Sequence, residues 1–231
     1  MKKKILFATT AIIIISTAAP GEVRAEGSPF KIGVGGGAIF YALLGPRSIK
    51  SFPLKIEFDK KALKAGGTAG IEGLYYPAPK HSVSVGAFYE QRRIDLKIVN
   101  LAILGLSPLA LLSSFLPLES LVGTTRLSTH YLNFPVTYRF HPVEFFYLGA
   151  GFDVAALLKA RADYRVIILD LGLDLKKYFR AADPGVRILA GFTVKGVYGE
   201  LAAGVGLLDI DTWGGARRSF YVKGTVGYRF L

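Results

Sequence analysis

The sequence predicts an all-β fold, an eight-stranded antiparallel up-and-down transmembrane β-barrel. Three observations carry that prediction. Eight stretches alternate apolar and polar residues with a period of two, the signature of strands. Most of them hold the alternation for about ten residues, the length a tilted strand needs to cross a bilayer and longer than the usual soluble strand. The connections between them are alternately very short and long, as in barrels with tight turns at one rim and loops at the other.

The first 25 residues form a targeting segment, separate from the fold. Lys2, Lys3 and Lys4 give a cationic start, Ile5 to Ala19 an apolar stretch too short to span, and Val23-Arg24-Ala25 a small-residue cleavage site. The expected division is a cleaved signal peptide at 1–25 and a barrel domain at 26–231. Cleavage removes four cations and one anion, so the formal charge of +12 falls to +9. Export makes nucleic acid a poor partner for that charge and lipid phosphate a better one. Cysteine is absent, which excludes disulfides, thiolate metal sites, a Cys nucleophile and a lipidated Cys. Beyond residue 25 no charge-free apolar run of roughly 18 residues is free of Pro, since Pro108 and Pro117 interrupt the one at 99–122, so a membrane helix is not expected.

The first strand is expected at about 30–42, where Ile32, Val34, Ala38 and Phe40 alternate with Lys31, Gly33, Gly35 and Gly37. The second, rich in Gly, covers about 65–76. The third, at about 81–98, sets Val83, Val85, Ala87 and Tyr89 against Ser82, Ser84, Gly86, Phe88 and Glu90. The fourth, at about 127–140, sets Leu132, Phe134, Val136, Tyr138 and Phe140 against Thr129, Tyr131, Asn133, Thr137 and Arg139. The fifth, at about 144–158, sets Phe146, Leu148, Ala150, Phe152 and Val154 against Tyr147, Gly149, Gly151 and Asp153. The sixth spans about 185–195, with Val186, Ile188 and Phe192 against Arg187, Thr193 and Lys195, and the seventh about 197–208, with Leu201, Ala203 and Val205 against Glu200 and Gly204.

The eighth strand, 219–231, shows the pattern most cleanly: Phe220, Val222, Gly224, Val226, Tyr228 and Phe230 oppose Tyr221, Lys223, Thr225, Gly227 and Arg229. The short connections fall at 77–80, 141–143 and Gly196, and the long ones at about 43–64, 99–126, 159–184 and 209–218. Both ends of the barrel then lie on the short-turn side, which in an outer membrane is periplasmic. A soluble eight-stranded barrel has no reason to alternate its connections in this way, or to turn charges inward.

The inward set carries Glu72, Glu90, Arg92, Arg139, Asp153, Arg187, Lys195, Glu200, Lys223 and Arg229. An eight-stranded barrel is just wide enough for side chains to fill. These charges are therefore expected to pair across the lumen as a plug, with Lys223 and Arg229 facing acids such as Asp153 or Glu200. The alternative is a gate or a narrow conducting path.

Two stretches carry a resemblance to a known family. THYLNFPVTYRFHPVEFFYLGAGFDVAALL, residues 129–158, resembles the PorT-like outer-membrane β-barrel family in a Tyr-Leu-x-x-Pro strand, a tight turn and an aromatic–Gly–x–Gly strand. The matching residues are Tyr131, Leu132, Pro135, Tyr147, Gly149 and Gly151. YGELAAGVGLLDID, residues 198–211, is similar to that family's seventh strand, and Tyr228-Arg229-Phe230 to its last. The wider class includes the transmembrane domain of OmpA-like proteins, although no peptidoglycan-binding domain is expected here. The resemblance implies an integral protein of the outer membrane of a Gram-negative-type bacterium, assembled by the barrel-assembly machinery. Tyr228 and Phe230 form the expected assembly signal, with Leu231 following where an aromatic usually ends the chain.

Candidate chemistry is sparse. His81 and His141 are expected at the periplasmic turns, and His130 on the lipid-facing set. Ser128 and His130 share a strand face and are the nearest approach to a nucleophile and base. Residues two apart on a strand stand nearly 7 Å apart, and no acid is evident beside them. No metal-ligand spacing or cofactor motif is seen. The stretch 99–122 is almost wholly apolar. Leu104, Leu106, Leu109, Leu111, Leu112, Phe115 and Leu116 either pack on one another or form a patch for a partner or the outer leaflet. The 43–64 segment is rich in Lys and Arg and is suited to phosphorylated head groups. The segment 164–180 either extends strands beyond the membrane or forms a short helix.

The expected function is therefore structural or interaction-based and not catalytic. Its expected partners are outer-membrane lipids, including lipopolysaccharide, the barrel-assembly machinery and an envelope protein, with no cofactor. The alternative is a narrow channel or transporter for a small solute.

Overall fold

The computed structural model describes residues 29–45, 48–51, 54–58, 64–98, 124–166, 169–210, 212 and 216–230. The targeting segment and the apolar 99–122 stretch, with Leu104, Leu106, Leu109, Leu111, Leu112, Phe115 and Leu116, lie outside the described residues.

Among the described residues, alternation of side chains on extended backbone gives eleven strands: β1 (Phe30–Leu44), β2 (Ser48–Ser51), β3 (Leu54–Phe58), β4 (Lys64–Ala78), β5 (His81–Ile98), β6 (Thr124–Val143), β7 (Phe146–Val166), β8 (Leu169–Asp174), β9 (Ala182–Val194), β10 (Val197–Gly206) and β11 (Arg218–Phe230). Eight of them, β1, β4, β5, β6, β7, β9, β10 and β11, pair antiparallel with their neighbours in chain order. The β1–β11 ladder, from Ile32↔Phe230 to Leu44↔Arg218, joins the two ends of the chain and closes the barrel. Closure leaves no edge in the wall. The chain forms the eight-stranded antiparallel barrel that its alternation predicts.

The three remaining strands stand above the long-loop rim. β2 and β3 pair as a hairpin and β3 adds to the top of β5, while β8 folds back on the top of β7. A short 3-10 helix, Lys176–Tyr178, follows β8. Among the described residues of 164–180 the strand reading holds as far as Asp174, and a single 3-10 turn follows.

The short connections are tighter than the sequence suggests. Strand pairing runs to Ala78↔His81 and Val143↔Phe146, so Pro79–Lys80 and Glu144–Phe145 are two-residue turns, and His141 and Pro142 belong to β6. In the third turn Lys195 has φ 48° and Gly196 φ 82°. That left-handed pair is the backbone of the tight hairpin turn whose twist matches its strands. Lys195 is exposed and does not face the lumen, contrary to expectation, because the chain leaves the strand one residue earlier.

Pro135 sits mid-strand in β6. The β5–β6 ladder lapses between Val85↔Val136 and Phe88↔Asn133, opposite Pro135, which has no N–H to donate.

Candidate functional site

The wall strands turn one residue class to each side. Outward on all eight are Val, Ile, Leu, Phe, Tyr, Ala, Gly and Pro, and no charge over the span from the short turns to Leu158 on β7. Ile188, Phe152, Leu201 and Val226 are each more than 60% exposed, so the surface a soluble protein would hide is the one displayed here. Phe30, Tyr75, Tyr138, Phe140 and Phe145 ring the short-turn rim as exposed aromatics.

The inward face holds two ionic clusters stacked along the axis. Nearer the short turns, Glu72 accepts from Arg139 at 2.7 Å and from Arg229 at 2.9 Å. Glu200 accepts from Arg139 at 2.7 Å and Arg187 at 2.8 Å, so the Glu72 and Glu200 carboxylates together join five strands. Arg229 also donates to the Tyr147 hydroxyl at 3.0 Å and stacks over Tyr198 at 4.3 Å. His141 lies inside this mouth, 2.9 Å from the Ser82 hydroxyl, between Tyr76 and Tyr147. It is a lumen residue rather than a turn residue, because β6 continues past it.

Nearer the loops, Glu90 takes both Arg92, at 2.9 Å, and Lys223, at 3.1 Å, and accepts from Asn133 at 3.0 Å. Arg92 reaches across to Asp183 at 2.9 Å and lies over the Tyr131 ring at 4.4 Å. Asp153 accepts from Asn133 at 3.3 Å and from the Tyr221 hydroxyl. Lys223 and Arg229 face acids as expected, but different ones: strand stagger sets Lys223 level with Glu90 and Arg229 level with Glu72, not with Asp153 or Glu200.

With Lys195 removed and Asp183 added, five acids (Glu72, Glu90, Asp153, Asp183, Glu200) stand among five cations (Arg92, Arg139, Arg187, Lys223, Arg229). Asp183 falls in what the sequence reads as a loop. Its signal is the alternation of Arg187 and Gly185 carried two residues further back. The sequence reading also passes over Ile39 and Tyr41, which point inward on β1.

Among the described residues these charges are packed against one another and shielded from solvent. A water-lined channel leaves its wall accessible to solvent, yet Glu90 is 0%, Arg92 1%, Lys223 2% and Arg139 2% exposed. A void of about 10 Å³ between the clusters, bordered by Arg139, Arg187, Tyr198 and Lys223, has room for the centre of about one water molecule. Above the clusters the mouth is closed by apolar packing. Ile39, Tyr41, Ile94, Leu127, Tyr131 and Leu157 from the wall meet Leu175, Phe179 and Ile210 from the loops. The loops are pinned by backbone bonds, Arg180 N–H to the Ile210 carbonyl at 2.9 Å and Thr212 N–H to the Tyr178 carbonyl at 3.1 Å.

His130 and Ser128 both face outward, and the His130 ring bonds the Tyr89 hydroxyl on the neighbouring strand. His81 likewise bonds Tyr138, at 2.5 Å. Among the described residues no group of three His, Asp or Glu is placed to hold a metal ion.

No protein-family model matches the sequence, and no curated protein matches it. Among solved structures the chain is similar to Ail, the attachment invasion locus protein of Yersinia pestis, solved with the heparin analogue sucrose octasulfate, at 10% identity and TM-score 0.47, over 88% of this chain and 100% of that one. It is similar to Neisserial surface protein A at 12% identity and TM-score 0.44, over 89% and 100%. It is also similar to the outer membrane protein OprG from Pseudomonas aeruginosa at 14% identity and TM-score 0.42, over 90% and 99%.

Proposed function

We propose that this protein is an integral outer-membrane barrel that works as a closed, rigid platform. Its loop side meets membrane lipid or an envelope protein, and its interior neither conducts nor catalyses. The observation that carries the reading is an arrangement opposite to that of a soluble barrel, with an uncharged apolar exterior around an interior of paired charge. In water that exterior costs about 25 cal/mol per Å² of exposed apolar area, and in hydrocarbon it costs nothing. A tilted strand climbs roughly 2.5 Å per residue, so an apolar band about 25 Å tall takes about ten residues, close to the uncharged length of these strands.

In this reading residues 1–25 are a signal peptide removed on export, both barrel ends and the short turns are periplasmic, and the long loops are outside. Tyr228 and Phe230 on the closing strand mark the chain for the barrel-assembly machinery. The finer likeness to PorT-like barrels rests on Tyr131, Leu132, Pro135, Tyr147, Gly149 and Gly151.

Planar-bilayer recording tests the platform against the channel. The platform predicts insertion without steps of conductance above baseline. Steady unitary steps from the purified barrel would favour the solute path instead.

A further inference from the structure

On three adjacent strands the outward face changes character at one hydrogen-bonded row. Reading away from the short turns, β5 shows Val83, Val85, Ala87 and Tyr89, then Gln91 and Arg93. β6 shows Phe140, Tyr138, Val136, Phe134 and Leu132, then His130, Ser128 and Arg126. β7 shows Leu148, Ala150, Phe152, Val154, Ala156 and Leu158, then Lys159, Arg161 and Asp163. The pairings Gln91↔His130↔Lys159 and Arg93↔Ser128↔Arg161 place the change at the same level on all three. A bulge aligns β7. His130 pairs with Lys159 and Tyr131 with Leu157, so Leu158 is the extra residue, and Leu158 and Lys159 both face out. Without it Lys159 would turn into the lumen.

We infer that Arg93, Lys159 and Arg161, with His130 between them, form a docking site for the phosphate of a membrane-lipid head group, held against the outside of the β5–β7 wall. The inference rests on the reading of the barrel as membrane-spanning. His81 begins β5 and Gln91 lies ten residues on, which at roughly 2.5 Å per residue puts the row at the top of the apolar band, where head groups lie. Strands about 4.8 Å apart and same-face residues nearly 7 Å apart make the patch roughly 10 Å by 7 Å, wide enough for one or two phosphates. In its first two rows every charge is positive. Asp163 stands one row higher, where it accepts from the Arg161 Nε at 2.9 Å while the Arg161 side chain stays 53% exposed. Among the described residues Arg93 donates to the neutral Gln91 amide oxygen, at 3.3 Å. Two guanidinium forks and an ammonium suit phosphate oxygens. The acyl chains below would lie on Leu158, Leu132 and Tyr89, and Tyr89 also holds the His130 ring.

The test is native mass spectrometry of the detergent-solubilised barrel offered phosphatidic acid or phosphatidylcholine of the same chains. It compares the wild type, the triple variant R93Q/K159Q/R161Q, and R218Q on the other side of the barrel. The expected result is preferential retention of phosphatidic acid by the wild type and R218Q, with loss of roughly a hundredfold in the triple variant, the scale of three basic residues at an anionic surface. Equal retention of both lipids, or a triple variant that retains phosphatidic acid like the wild type, would overturn the site. Retention of inorganic phosphate that displaces the lipid would overturn the commitment to a lipid-borne group. Flotation with phosphatidylcholine vesicles separates the two levels: a barrel that does not float overturns the membrane reading itself, and one that floats without lipid preference overturns only this site.

Discussion

The inner and outer faces of the same eight strands meet opposite environments with opposite chemistry, and they differ most in how a single charge is tolerated. Inside, charges are held by specific partners: Glu90 is fixed by Arg92, Lys223 and Asn133. Outside, the band tolerates none. The interior is therefore the place where removing a charge is costly, and the exterior the place where adding one is. Glu90→Gln sharpens the first half. It leaves Arg92 and Lys223 buried without their shared carboxylate, a loss of about 3–5 kcal/mol for a broken buried pair. Urea unfolding of the detergent-folded barrel should show that drop. Asp163→Asn at the rim, where Arg161 and Asp163 are 53% and 60% exposed, should move stability by less than about 1 kcal/mol.

Leu201→Arg breaks the second half. Leu201 is 61% exposed and midway along the band. In a lipid bilayer an outward Arg at that depth costs about 2–4 kcal/mol. On a water-facing wall the same change would stay within about 0.5 kcal/mol. Folding titrations in lipid vesicles decide between them, and a neutral result would remove the membrane from the account of this barrel.

The two faces were also unequally legible. Period-two alternation assigns a residue to a face without further information, so the strands, the outward band and nine of the ten expected lumen charges stand where the pattern puts them. Lys195 fails because a turn ends the alternation, and a left-handed φ at a Lys is not visible in the pattern. Asp183 fails for the reverse reason: the alternation runs on through Pro184 into what composition marks as loop. Which acid meets which cation depends on stagger between strands, a property of barrel closure that no single strand encodes. That is why Lys223 finds Glu90. The basic row on β5–β7 depends on the bulge at Leu158, which shifts one strand against its neighbour and has no signature in a single strand.

Neighbouring glycines on β4 bring the same contrast down to one methyl group. A Cβ at Gly66 would meet the Gln91 carbonyl oxygen at 1.7 Å, whereas one at Gly67 meets nothing within 4 Å. Gly66→Ala must push β4 away from β5 and should cost about 1–3 kcal/mol. Gly67→Ala points into open space on the outer face. It should be neutral or stabilising by about 0.4–1 kcal/mol, through the lost freedom of the unfolded chain. Thermal unfolding of the two variants side by side measures the difference, and equal melting temperatures would mean that the β4–β5 approach is looser than it stands.

Phe230→Ala is expected to have the smallest effect on stability and to separate the finished barrel from its assembly. Phe230 pairs with Ile32 at the seam, is 38% exposed and has no partner among the ionic clusters. Its ring lies at the short-turn rim, where the membrane interface is forgiving of truncation, so refolding in detergent should change by about 1 kcal/mol or less. The β1–β11 seam nevertheless joins the first strand of the chain to the last, and its pairing closes the barrel. If Tyr228 and Phe230 guide that closure, the variant should accumulate less heat-modifiable barrel in the membrane while its refolding in vitro is preserved. Equal amounts in both settings would assign Phe230 to the apolar band alone.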